Sequence, residues 1–229
     1  MKRILTLVLV ALVAAMPLVA QRHNYGPGPG NRYDYERSGS RWIRNYYGKD
    51  LYFGLRIGPA FSHVSGDAID YASSSKTGLH LGGVVGFGIT NRAPVFFETG
   101  LSYVNKGGKS NYWTTSLSYL ELPLTFKYIH YTDIGLSIHP LFGGYLAVGI
   151  DGSIKDFANK TKVGAFGSSK EEGVDRFKRF DGGLRVGCGV GFSMFYLDLV
   201  YDIGLANVSH NDYDSSCNRT LYLNFGVNF

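Results

Sequence analysis

The residues of this chain with the means to do chemistry are a scattered set of charges: Arg56, Glu98, Glu121, Lys127, Arg185, Asp198 and Asp202. His80, His139, Tyr119, Tyr145 and Tyr196 accompany them, and each sits in the polar phase of a stretch in which every second residue is apolar. Paired carboxylates beside a base could move protons, and a ring of one sign could pass ions. Here both signs run through the same stretches, so the chemistry these side chains do best is to neutralise one another. If all point into one interior they must pair or suffer a large desolvation cost. Hairpin geometry sets Glu98 diagonal to Lys127 and Asp202 diagonal to Arg185, within reach of long side chains. The expectation is a structural network of internal ion pairs that fills the interior, with a catalytic or conducting interior as the competing reading.

Other motifs carry less. Gly82 to Gly88 and Gly187 to Gly191 mimic phosphate-cradling glycine runs, but neither opens a helix, so both read as inward glycines on strands. His210, Asp212 and Asp214 bring an imidazole and two carboxylates into one loop, a constellation that could hydrolyse or hold a metal, yet we expect no metal site and no cofactor. Cys188 and Cys217 are the only cysteines; Cys188 falls in a lipid-facing phase and Cys217 in a surface loop, and a disulfide between them is the minor reading. Sequons at Asn159, Asn207 and Asn218 presuppose a glycosylation route that nothing in the chain establishes.

The elements that must position the charges are strands. Leu221 to Phe229 alternates apolar and polar residues up to the last aromatic side chain, with Leu221, Leu223, Phe225, Val227 and Phe229 for hydrocarbon and Tyr222, Asn224, Gly226 and Asn228 for a lumen. Similar segments run over 51–62, 78–90, 94–106, 117–129, 134–150, 181–194 and 195–207, with 218–229 closing the set. That makes about eight strands, the smallest common outer-membrane barrel. Their connections alternate long (63–77, 107–116, 151–180, 208–217) and short (91–93, 130–133, Met194/Phe195). The fold class is therefore all-β, an eight-stranded antiparallel transmembrane β-barrel with short periplasmic turns and long outer loops. Pro123 and Pro140 fall inside strands of a barrel without free edges, so each implies a bulge or register break.

Three domains are expected. Residues 1–20 form a cleaved signal peptide: Met1-Lys2-Arg3, an apolar run from Ile4 to Ala15 too short to span a bilayer, and a small-residue exit at Ala20. Residues 21–50 are rich in Gly, Pro, Tyr and Arg, as in Tyr25-Gly26-Pro27-Gly28-Pro29-Gly30, and read as a flexible periplasmic tail. Its basic residues, Arg22, Arg32, Arg37, Arg41, Arg44 and Lys49, outnumber Asp34, Glu36 and Asp50 and suit an anionic partner or a solvated linker. Residues 51–229 are the barrel. Hydrophobic residues make up 45% and aromatic residues 15% of the chain, with 31 glycines, a composition that suits strands diluted by alternation. The formal charge of +5 falls to +3 once Lys2 and Arg3 leave with the leader, which gives no case for a nucleic-acid partner.

Phe96-Phe97-Glu98-Thr99-Gly100-Leu101-Ser102-Tyr103 with Lys106-Gly107-Gly108, then Tyr119-Leu120-Glu121-Leu122-Pro123-Leu124-Thr125-Phe126-Lys127-Tyr128, together with Asp198 to Asn207, resemble the PorT-like outer-membrane β-barrel family of Bacteroidetes. The likeness covers 51–229, Tyr-Leu-Glu-Leu-Pro-Leu is its most specific part, and the tail lies outside it. It makes Pro123 a family feature. It implies an integral outer-membrane protein, with one branch serving the type IX secretion and gliding apparatus, and carries over no catalytic residue. The leading expectation is a non-enzymatic binding or envelope-assembly barrel in the outer membrane of a Gram-negative bacterium. Expected partners are outer-membrane lipids and lipopolysaccharide, the barrel-assembly machinery and envelope or secretion proteins. A small porin or transport protein is the alternative, and an envelope hydrolase, which needs a nucleophile beside a base near one rim, is the third reading.

Overall fold

A computed structural model describes residues 51–66, 74–90, 93–109, 113–132, 134–156, 162–166, 177–207 and 216–229. Residues 1–50, expected as leader and tail, the sequon at Asn159 and the His210, Asp212 and Asp214 constellation lie outside the described residues. Eight long strands carry the fold: β1 (Leu51–Gly66), β2 (Ser74–Gly88), β3 (Val95–Lys109), β4 (Trp113–Tyr128), β6 (Leu136–Asp156), β8 (Phe180–Phe192), β9 (Phe195–Gly204) and β10 (Ser216–Asn228). Two short ones, β5 (His130–Tyr131) and β7 (Lys162–Gly164), pair onto β6. Each long strand is antiparallel to its neighbours; β1 pairs with β10 and β4 with β6, so the sheet closes on itself as a barrel without a free edge.

The alternation read from the sequence is the in/out alternation of the wall. Tyr222, Asn224 and Asn228 are buried while Leu221, Leu223 and Phe225 are exposed. Phe126 at 53%, Phe142 at 58% and Phe225 at 50% exposure belong to an apolar band around the whole exterior. A soluble sandwich would hide such a band, whereas hydrocarbon is its natural solvent. The Gly-rich strands make room for inward tyrosines: a Cβ on Gly86 would overlap the Tyr52 ring and one on Gly189 the Tyr196 ring. Both glycine runs lie on strands, β2 and β8, and neither opens a helix.

The strands run further than the hydropathy pattern. β3 continues to Lys109 and β4 begins at Trp113, so the expected ten-residue loop at 107–116 shrinks to 110–112, and β6 reaches Asp156 inside the segment read as loop. Beyond the apolar band the side chains turn polar, which ends the periodic signal, but the backbone ladder continues regardless. Cys217 consequently lies in β10, opposite Ser65, and not in a loop; both cysteines are free thiols.

Neither proline makes a bulge. The β4–β6 register passes Pro123 (opposite Tyr145) unbroken, and on the other side the β3–β4 ladder resumes in the same register after skipping Gly100 and Leu101. The β6–β8 register likewise passes Pro140, opposite Cys188. A missing donor here leaves ladder positions unbonded, which disturbs the wall less than an inserted residue would. The register shifts instead at Ser118/Tyr119, where β6 carries Ile150 as the extra residue, and between Ser75 and His80 on β2. Between β8 and β9 a two-residue turn, Ser193-Met194, reverses the chain, with Ser193 at φ 55° as such tight turns require.

Candidate functional site: the charged lumen

Arg56, Glu98, Glu121, Lys127, Arg185, Asp198 and Asp202 are all buried inside the barrel. They fall into two ion-pair networks stacked along its axis. In the network nearer the short-turn rim, Lys127 Nζ lies 2.6 Å from Glu98 Oε2, and Tyr52 donates its hydroxyl to the same oxygen. Lys127 is diagonal to Glu98 across β3 and β4, since Glu98 faces Thr125. Arg56 spans Glu98 (3.6 Å) and Asp198 (3.7 Å), reaching strands that are not its neighbours, and its guanidinium covers the Tyr196 ring at 4.1 Å.

In the second network Arg185 holds Asp202 bidentately, Nε and Nη2 each 2.7 Å from a carboxylate oxygen, the strongest geometry available to an arginine. The two residues face each other directly across β8 and β9, one step from the diagonal expected. Arg185 Nη2 also donates to Glu121 on β4, and Tyr222 from β10 sets its hydroxyl between Glu121 (3.2 Å) and Asp202 (3.1 Å). Because β4 and β10 are far apart in the strand order, these contacts tie opposite walls together through the lumen.

Two members escaped the sequence. Lys106 lies 2.9 Å from Glu121 and 3.6 Å from Asp181, and Asp181 also accepts from Asn218 (2.9 Å). Both share the inward phase of a charge already named, Lys106 with Glu98 and Asp181 with Arg185, but stand at strand ends. With them, four cations meet five carboxylates here, so charges are shared: Glu121 takes two cations, and Arg56 and Lys106 each span two carboxylates. A neutral relay joins the networks. His80 Nδ1 faces the Asn224 amide oxygen at 2.8 Å, so it donates; Asn224 donates to Asp198 (2.7 Å), and the His80 ring packs on Tyr222. The cavity left among Arg56, His80, Glu98, Arg185 and Asn224 is about 30 Å³, room for about one water.

Both ends are covered. At the short-turn rim Tyr52, Phe96 and Ile129 pack together with Tyr131 against them. At the other rim Ala165 is fully buried, Phe166 meets Tyr119 edge-on at 5.8 Å, and Phe177 joins the same cluster, so these residues cover the mouth. Gly149 and Gly152 provide the space, since a Cβ on either would run into Phe166.

One serine–histidine contact was not singled out from sequence. His139 Nε2 lies 2.7 Å from Ser137 Oγ, and that hydroxyl donates to the Gly191 carbonyl (3.2 Å). A hydroxyl whose proton is already given away leaves the imidazole as donor, the opposite of the role a general base needs. Among the described residues no group of three or more His, Cys, Asp or Glu side chains is arranged to hold a metal.

The family described as outer membrane protein beta-barrel domain matches residues 28–210, from within the Gly/Pro/Tyr-rich stretch to just short of β10. Neisserial surface protein A (NspA) is similar at 15% identity over 79% of this chain and 96% of its own, with a TM-score of 0.45. Ail, the attachment invasion locus protein of Yersinia pestis, is 16% identical over 79% of this chain and 100% of its own, TM-score 0.40. OprG from Pseudomonas aeruginosa is 11% identical over 79% and 97%, TM-score 0.46. No curated protein sequence matches the chain significantly.

Proposed function

The chain belongs to the outer membrane protein β-barrel domain family, and from that membership we propose that it is a closed, non-conducting and non-enzymatic barrel that works through what its rims and tail bind. The observation that supports this is the wall-to-wall pairing: Arg185 to Glu121 and Asp202, and Arg56 to Glu98 and Asp198, fill the cross-section an ion would need. The lumen is in this reading an internal strut. In planar bilayers the purified protein is expected to show no steady conductance, and large stable channels would promote the porin reading instead.

The narrower parts of the proposal rest on sequence. Residues 1–20 are a cleaved leader and 21–50 a periplasmic tail, and the long-connection rim faces the cell exterior. The stretch Tyr119 to Tyr128 argues for the PorT-like branch of Bacteroidetes, with envelope or secretion proteins as partners and the barrel-assembly machinery as the route into the membrane. A hydrolase is the third reading, and the Ser137–His139 contact speaks against it because the imidazole is the donor there. Labelling of Ser137 by a fluorophosphonate would support it; none is expected.

A further inference from the structure

Among the described residues the charged side chains outside the lumen are not spread evenly. Lys109, Asp151, Lys155, Lys178, Arg179 and Arg219 all lie at the long-connection end, and among the described residues the opposite rim carries no Asp, Glu, Lys or Arg side chain outside the lumen. The densest group is on three adjacent strands. Lys109 of β3, Thr114 of β4 and Lys155 of β6 stand in direct register, and both lysines are exposed.

Beneath this row, on the outer face of the wall, is a ladder of neutral polar groups. Asn105 Nδ2 donates to Ser116 Oγ (3.2 Å) and Ser118 Oγ (3.1 Å), and Tyr103 shares a hydrogen bond with Ser118 (3.0 Å). Lys76 joins the ladder from the β2 irregularity, its ammonium 2.6 Å from Asn105 Oδ1 and 2.7 Å from Ser116 Oγ. Those partners are neutral, as is the Lys106 carbonyl at 3.4 Å, and Lys76 itself is largely buried. Asp151, opposite Ser118, is the one carboxylate described on this face. Immediately below, the apolar band begins with Leu101, Leu122 and Val148, each at least 40% exposed.

Cations over hydroxyls over hydrocarbon is the polarity profile of a phosphorylated sugar lipid standing in a leaflet. A free phosphate would use only the top of such a surface, and a phospholipid would leave the hydroxyl ladder without sugar partners. We propose that the β3–β4–β6 face binds the phosphorylated sugar headgroup of an outer-leaflet glycolipid, phosphate at Lys109 and Lys155, sugar hydroxyls on Tyr103, Asn105, Ser116 and Ser118. Acyl chains then lie along Leu101, Leu122 and Val148. The assignment rests on the exterior placement of the long-connection rim.

The test is retention of lipid by the purified full chain in detergent, followed by native mass spectrometry with bisphosphorylated lipid A, its dephosphorylated form and phosphatidylglycerol as probes. The unmodified protein retains bisphosphorylated lipid A above the other two. Lys109→Ser with Lys155→Ser lowers that retention on the order of tenfold, while Arg219→Ser, on another arc of the rim, leaves it unchanged and all variants keep the folded gel mobility. Equal retention of the dephosphorylated form or of phosphatidylglycerol, full displacement by millimolar inorganic phosphate, or no loss in the double variant each overturns the proposal. Binding to purified protein does not depend on which way the barrel faces, so lost retention strikes the lipid site alone, whereas a protease result that inverted the barrel would strike the orientation and the outer-leaflet occupant with it.

Discussion

Arg185 holds two carboxylates at once, because it neutralises Asp202 on the neighbouring strand and reaches past β6 to Glu121 on β4. Arg185→Ala leaves Glu121 with Lys106 but strips Asp202 of its cation, with only the Tyr222 hydroxyl remaining. The expected loss is about 3–5 kcal/mol of stability, read from the urea midpoint of the folded barrel. Arg185→Leu with Asp202→Leu removes both charges of the bidentate pair and is expected to be less damaging than Arg185→Ala. A double variant as unstable as the single one would refute the pairing. Gly86→Ala belongs to the same scale: its methyl group has nowhere to go but into the Tyr52 ring, which is itself hydrogen-bonded to Glu98. An overpacking cost of about 1–3 kcal/mol follows, visible as a lower refolding yield.

The β6–β8 connection is the element whose behaviour separates cap from plug. Phe166→Ala should uncover Tyr119 and speed hydrogen exchange at Gly149 and Gly152, yet leave planar bilayers silent, because the ion pairs beneath remain. Conductance appearing on that substitution alone would show that the cap, not the network, closes the lumen. Topology predicts a second result for this connection. Trypsin added to intact cells should cut between Asp151 and Phe180, where Lys155, Lys178 and Arg179 lie, while the basic tail from 21 to 50 stays intact until the outer membrane is opened. A reversed pattern would put the long-connection rim in the periplasm.

At the scale of the whole molecule, eight strands closed without an edge leave the backbone bonds of the wall satisfied by its neighbours, apart from the ladder positions beside the prolines, which is the condition for standing in hydrocarbon. Opening one seam exposes two edges at once, so the barrel should unfold as a unit. The protein should therefore run on a gel at different positions before and after boiling, and fractionate with the outer membrane. Recovery as a soluble periplasmic protein would end the barrel reading. Salt is expected to matter little to this transition, since the ion pairs that brace the lumen are shielded from screening by burial.

Much of this was legible in the residues themselves. Period-two alternation settles which side chains face in, because a strand's side-chain direction depends on parity alone, and that is why Arg56, Glu98, Glu121, Lys127, Arg185, Asp198 and Asp202 could be assigned to the interior from sequence. Parity does not settle register. Placing the last short turn at Met194/Phe195 rather than Ser193-Met194 moves the turn centre by one residue and the register by two, turning the direct Arg185–Asp202 pair into a diagonal one. Nor does it mark strand ends: Lys106 and Asp181 were in phase but lay where apolar residues thin out, and backbone pairing carries the strands past that point. The contacts that close the lumen, Arg56 to Asp198, Arg185 to Glu121 and Phe166 over Tyr119, join elements distant in the chain and leave no local trace. The strands of both ion pairs stand two apart in the wall, and only the curling of the sheet into a cylinder turns such side chains toward one another across the lumen.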